Sequence, residues 1–228
     1  KVLYDFRSTS LDLLKTQYAE LIDADIFSAL SKTSGTHAYV QADATDGATY
    51  GTTDPKASLV AGDKITLADI SALKTIAQIG GSANYRMRPI RVDGNDYYVL
   101  VVHPEVAYDL FELDEFQQMQ REAQQRGDSN PLFSGALGIY NGVVIHSHEG
   151  VVNGTNGGSG AIPFARNLFM GAQAACFAES SDMMWVEKTF DYGNQLGISA
   201  AKIYGVDISD YNSKDYGVIQ YVSARTNL

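Results

Sequence analysis

The stretch "YYVLVV", residues 97–102, is apolar at every position. A strand with one wet face alternates apolar and polar residues. A strand without alternation is covered on both sides and lies inside a sheet. Its surroundings fix the local order of elements. Asp93-Gly94 and Asn95-Asp96 before it supply turn chemistry, and Pro104 just after His103 suits the first turn of a helix. "YRMRPIRVDGNDYYVLVVHPEVAYDLF" therefore predicts strand, turn, buried central strand and helix, with His103 closing the strand. Asp114 is placed to cap a further helix carrying Phe116 and Met119.

Helices are expected on either side of this unit's sheet. Leu11, Leu14, Tyr18, Leu21, Ile22 and Leu30 recur at helical spacing, and Thr9 to Asp12 fits a capping box. These residues predict a helix over Ser10–Ser31, roughly 30 Å long with one buried stripe, ending before Gly35. A second helix is predicted from Thr66 to Ile79, capped by Thr66 and Asp69, with Leu67, Ile70, Leu73 and Ala77 on one face. Between them the segment 33–64 is rich in Thr, Gly, Ala and Asp. It is expected to be a mobile excursion that adds nothing to the core.

Downstream, "GVVIHS" predicts a strand and "NGTNGGSGA" a flexible loop. "FARNLFMGAQAACFA" predicts a helix entered through Pro163, thin enough along its glycine and alanines to lie close to a sheet. The last third, from Trp185, alternates apolar residues with Tyr and Gly and suits strands and turns. Helices and strands in this order make an α+β protein.

Chemistry is sparse. His146, His148 and Glu149 lie close together, and on a strand the two histidines share a face about 7 Å apart. A metal-dependent hydrolase built on that pair is one reading, but zinc needs three or four protein ligands, and neither His37 nor His103 stands at metal-ligand spacing. The glycine loop lacks the Gly-Lys-Ser/Thr ending of a phosphate loop and the spacing of a dinucleotide fold, and no G-x-S-x-G elbow is present. Asp114 and Glu115 suit capping and solvation, not paired acid-base work. No catalytic, cofactor-binding or metal-ligating residue is therefore assigned. A second reading, a carbohydrate-binding surface module, draws on 14 tyrosines and the Thr/Gly-rich excursion.

Charge and cysteine content limit the partners. A formal charge of −10 with pI near 4.7 gives no basic stripe for phosphate backbones and is repelled by anionic lipid, so neither specific nucleic acid nor membrane is an expected partner. The lone Cys176 sits in an apolar segment, which predicts a buried structural thiol and a reducing compartment. No run reaches the length of a membrane span. The chain opens at Lys1, which is read as the start of a portion of something longer.

Several blocks together resemble one family. "YYVLVVHPEVAYDLF", "NPLFSGALGIYNGVVIHSHEGV", "ARNLFMGAQAACFA", "WVEKTFDYGNQLGISAAKIYGV" and "NSKDYGVI" occur in the order and at about the separations found in major capsid proteins of tailed bacteriophages, of a podovirus-type subfamily. The helix "STSLDLLKTQYAELIDADIFSALS" is similar to that family's spine helix. The resemblance implies a peripheral domain, residues 1–95 and 207–228, carrying the spine helix and long strands. It also implies an axial domain over 96–206, built on a central β-sheet flanked by helices. It implies a structural subunit with no active site, forming pentamers and hexamers of an icosahedral phage or prophage head. Its partners would be other capsid subunits, with scaffolding or decoration proteins. Its location would be the virion, after assembly in the bacterial cytoplasm. The family carries an N-terminal arm and an extended hairpin before the spine helix, so the resemblance also implies truncation at the N-terminus. The segment 33–64 matches no family block.

Overall fold

The computed structural model describes residues 6–44, 47–122 and 136–228. The first helix, α1 (Phe6–Leu30), is followed by strands β1 (Tyr39–Gln41) and β2 (Thr49–Gly51) and then by α2 (Leu67–Ile79). Next come β3 (Ile90–Val92), β4 (Asn95–Val102), α3 (Pro104–Glu112) and α4 (Asp114–Glu122). Strands follow: β5 (Gly138–Tyr140), β6 (Val143–Ser147), β7 (Asn153–Gly157), β8 (Ile162–Met170), β9 (Ala175–Glu179) and β10 (Met184–Phe190). The series ends with β11 (Gln195–Ala201), β12 (Tyr204–Ile208), β13 (Asp210–Tyr211), β14 (Lys214–Asp215) and β15 (Val218–Ala224).

A mixed sheet in the order β2-β1-β15-β8-β4-β6-β5 forms the body, with β3 beside β4 and β7 beside β8. As "YYVLVV" requires, β4 is internal, parallel to β6 and antiparallel to β8. One face of the sheet carries Val40, Leu100, Val102, Phe169, Ile219 and Tyr221 and is covered by α2 and α3 through Ile70, Leu73, Val106 and Leu110. The opposite face carries Leu168 and Val218, against which α1 lays Ile26, Phe27 and Leu30. Burial of both faces explains why β15, "VIQYVSA", is inaccessible along its whole length.

Several local expectations hold. Thr66 and Asp69 form a reciprocal capping box at the start of α2, and Gly80 ends that helix at φ 81°. Pro104 occupies the first turn of α3 and His103 caps it, its Nδ1 accepting from the Glu105 N–H. Asp93 and Gly94 take positive φ between β3 and β4, the geometry of a tight hairpin turn.

Four expectations fail, each for a tertiary reason. The segment 33–64 is not an excursion outside the core. Although 45 and 46 lie outside the described residues, the segment supplies β1, which runs parallel to β15, and buries Ala38, Tyr39, Val40, Ala42 and Leu59. Its aspartates close its turns: Asp63 accepts from Val60 N–H, Ala44 N–H and Gln41. A few small apolar residues suffice when backbone pairing and carboxylates satisfy the polar groups.

The helix predicted over 164–178 is instead strand β8, a turn, and strand β9. Seven residues of β8 pair with β15, a long-range gain that outweighs the local alanine signal. Gly171 also stands where a Cβ would lie 2.6 Å from the Arg88 carbonyl oxygen. The glycine loop before it is partly strand, since β7 pairs with β8 through a bulge between Gly154 and Gly157.

The first helix begins by Phe6, so Thr9 lies inside it and is not its cap. Its stripe is only partly covered: Leu30 is buried, whereas Leu21 stays 54% exposed. The central sheet joins strands from both sides of the expected boundaries near 96 and 206. β15, assigned to the peripheral part, is sandwiched between β1 and β8. The Met119 side chain and the start of the block at residue 130 lie outside the described residues.

Candidate functional site

The pair that opened the metal question does not converge. His146 sits on β6 opposite Val101, half-buried. His148 lies just past the strand, where its Nδ1 accepts from the Gly150 N–H at 3.0 Å and its ring stacks on Phe27 of α1, 4.7 Å between centroids. Glu149 is exposed in the following turn. Among the described residues no three His, Cys, Asp or Glu side chains are grouped to hold a metal ion.

Other polar side chains are engaged in holding elements together. His37 Nδ1 is 3.0 Å from Asp215 Oδ1, and the second carboxylate oxygen accepts from the Ala38 N–H at 2.8 Å. Burial pushes the Asp215 carboxyl above its ordinary value. Asp69, raised likewise by burial, accepts from the Tyr221 hydroxyl at 2.9 Å while capping α2. Burial, reinforced by the Arg225 charge, lowers His103. Cys176 is exposed, not buried as expected, with Sγ 3.4 Å from Ser209 Oγ. Its strand is part of a two-stranded ribbon and not of the helix that would have hidden it.

A shallow depression between α1 and β12 is lined by Asp25, Ser28, Ala29, Tyr204, Gly205 and Val206. Its carboxylate is already taken by the Tyr204 hydroxyl, whose pKa is pushed up to about 12 mainly by that bond. Nothing there is poised for proton transfer.

What stands out is a surface. Among the described residues, Leu13 and Leu21 on α1, and Phe177, Met184, Val186, Phe190, Tyr192 and Ile203 in the ribbons after residue 175, are large apolar side chains left exposed. β9 pairs with β12, and this ribbon rests on α1: Tyr204 meets Tyr18 edge-on and Lys32 reaches Asp207 at 3.2 Å. β10 and β11 pair along seven residues and, among the described residues, with no other strand. Their turn places Asp191 and Tyr192 at positive φ, with the Tyr192 side chain fully exposed. A two-stranded ribbon is barely stable alone in water, and contiguous exposed apolar residues mark an interaction face. Sequence reasoning identified these strands but not their isolation, because alternation does not say whether an edge finds a neighbour.

Comparison with known proteins agrees with a surface whose work is association. The family model described as phage capsid protein matches residues 14–225. The major capsid protein of Pseudomonas phage KPP25 is 31% identical over 265 residues, an alignment spanning 97% of this chain and 69% of that protein. The capsid of Ralstonia phage GP4 superposes with a TM-score of 0.76 at 29% identity, covering 99% of this chain and 69% of that one. The capsid of cyanophage Pam1, at 21% identity and a TM-score of 0.70 over 97% of this chain and 69% of that one, shares the fold. Neither an enzyme nor a carbohydrate-binding module accounts for that set. The chain belongs to the phage capsid protein family, with the tailed-phage major capsid fold, and is a structural subunit of a virion shell.

Proposed function

We propose that this subunit builds pentamers and hexamers of an icosahedral phage or prophage head, with α1 and the β10–β11 ribbon as surfaces covered by neighbouring copies. The observation that carries this reading is the ribbon itself. It exposes Met184, Val186 and Phe190 and pairs with no other described strand, so a neighbour would supply the burial it lacks. Contacts of this head-to-tail kind close into rings when the rotation allows.

The domain division proposed is a peripheral part over 1–95 and 207–228 and an axial part over 96–206, with β15, paired to β1 and β8, joining the two. Scaffolding or decoration proteins are proposed as further partners on the exposed surface. The net charge of −10 supports a shell wall that does not grip packaged DNA tightly. Electron microscopy of particles made from the full-length gene tests the reading. Closed shells with five- and sixfold capsomers are the expected result, and soluble monomers at high concentration would overturn it. Val186→Lys with Phe190→Asp in the ribbon should leave a folded subunit that assembles poorly.

A further inference from the structure

We infer that two patches at opposite ends of the central sheet, one basic and aromatic, the other acidic and aromatic, join neighbouring copies of this chain head to tail. The inference rests on the capsid reading and specifies one contact within it.

The basic patch gathers where β14 leads into β15. Asp215 N–H donates to the Ala83 carbonyl at 2.8 Å and Tyr85 N–H to the Asp215 carbonyl at 3.0 Å, so residues 83–85 are tied to the strand. Met87 is buried, its N–H bonded to Ala77, and this sends Arg86 and Arg88 on either side out to solvent. The Tyr85 ring lies 6.2 Å from Tyr211 and 6.3 Å from Tyr216. Lys214 Nζ sits over Tyr85 at 5.4 Å and the Arg88 guanidinium over Tyr216 at 6.0 Å. Arg86, Arg88 and Lys214 have no ion-pair partner among the described residues, although Lys214 donates to the Gly81 carbonyl. The acids nearby are Asp210, exposed on β13, and Asp215, whose carboxylate turns inward to His37. In an acidic chain, three unpaired cations on a rigid aromatic platform form a site for carboxylates.

The acidic patch lies at the α3–α4 corner. Glu112, Asp114 and Glu115 are exposed there beside Tyr108 and Phe111, which are 42% and 40% exposed. Asp114 and Glu115 lie in the first turn of α4, where the helix dipole favours them. The Tyr108 hydroxyl bonds Glu112, and none of the three acids has an ion-pair partner among the described residues.

Topology separates the two. α3 follows the C-terminal end of β4, and its Asp109 accepts from the Thr226 N–H, just beyond the C-terminal end of β15. The basic patch stands at the N-terminal end of β15, and β4 and β15 point the same way because both are antiparallel to β8. Seven strand residues separate the patches by about 20 Å. Patches at opposite ends of one subunit cannot meet each other, so each requires another copy. That is a heterologous contact, which propagates around a ring. Opposite charge sets its register, and the tyrosines and phenylalanine supply the apolar contact.

The test uses the full-length protein in an assembly assay read by sedimentation and electron microscopy. Three variants are compared with the parent: Arg86→Glu/Arg88→Glu/Lys214→Glu, Glu112→Lys/Asp114→Lys/Glu115→Lys, and the two sets combined. Each single set should raise the critical concentration for assembly at least about tenfold, and the combined set should restore it to within about threefold of the parent. Circular dichroism and thermal melting confirm folding. Because reversal at the start of α4 weakens that helix, carbodiimide coupling of the unaltered protein serves as a second measurement. It should yield an interchain Lys214 cross-link to Glu112, Asp114 or Glu115. Parental assembly with indifferent single sets, an unrestored combination, or Lys214 cross-links only to other carboxylates would overturn the inference. So would intact shells of the basic-patch variant that have lost DNA, which would assign the patch to nucleic acid. Failure of the parent to assemble would instead remove the capsid reading on which the inference stands.

Discussion

His37 and Asp215, 178 positions apart in the chain, meet in the interior with Nδ1 and Oδ1 3.0 Å apart. The same carboxylate holds the Ala38 N–H, and the Asp215 backbone binds Ala83 and Tyr85, so one residue ties together the entry to β1, the segment after α2 and the entry to β15. Asp215→Ala leaves a buried imidazole without its partner and a buried N–H without its acceptor, and should cost about 3 kcal/mol or more. Asp215→Asn keeps an acceptor and should cost about half that. Urea unfolding of both variants checks the order, and equal losses would show that the carboxylate does not act through these bonds.

His103 gives a pH dependence with a definite sign. Its folded pKa lies below the ordinary 6.5 because burial, then the Arg225 charge, disfavours the imidazolium. The unfolded chain thus takes up the proton first. The stabilisation is fully present above 6.5 and is lost as pH falls through that value towards the folded pKa. The raised carboxyls of Asp69 and Asp215 act oppositely: their contribution is present at low pH and is lost as pH rises from 3.8 through their folded values, so it offsets part of the His103 loss on the acid side. Through His103 the melting temperature should drop as pH falls from 8 to about 5.5. His103→Asn, which keeps a capping side chain for α3, should flatten that drop. An unchanged slope in the variant would assign the effect to other groups.

Gly150 makes room for the α1 contact. A Cβ there would lie 2.7 Å from the Phe27 ring, the ring that stacks on His148. Gly150→Ala should loosen the C-terminal half of α1 from the sheet while leaving the body folded. Hydrogen exchange should accelerate in residues 22–30 and stay unchanged in β4 and β15. Uniform acceleration would mean that α1 is integral to the cooperative unit.

The spread of His146, His148 and Glu149 over a strand, a stacking contact and a turn predicts that chelators leave the melting temperature unmoved. Elemental analysis of the purified protein is the check. One transition metal per chain would require ligands that these residues do not provide.

The parts legible in the sequence were those settled locally. "YYVLVV" announced a buried strand, Thr66 and Asp69 a helix start, and Pro104 another, because each signal is complete within a few residues. The misread parts depended on distant partners. Val40 lies in a stretch poor in apolar residues and becomes core because Tyr221, far along the chain, lies opposite it. Phe164 to Phe169 lose strand alternation because both faces are covered, which leaves nearby alanines to suggest a helix. The association surface was invisible for a related reason. Met184, Val186 and Phe190 read as ordinary half-buried strand residues until the sheet to which they belong proves to have two strands.

The position of β15 between β1 and β8 has a consequence during synthesis. The ribosome delivers β1, β8 and β4 long before residues 218–224 emerge, so the growing polypeptide carries two unfilled edges that flank a missing strand. Leu168 and Phe169 of β8 then lack Gln220 and Ile219, their cross-strand partners. Closure of the sheet is a late, long-range event, of the kind that slows folding and leaves nascent chains open to aggregation. A protein made in many copies at once would meet that hazard in every copy, and would gain from chaperones until β15 arrives.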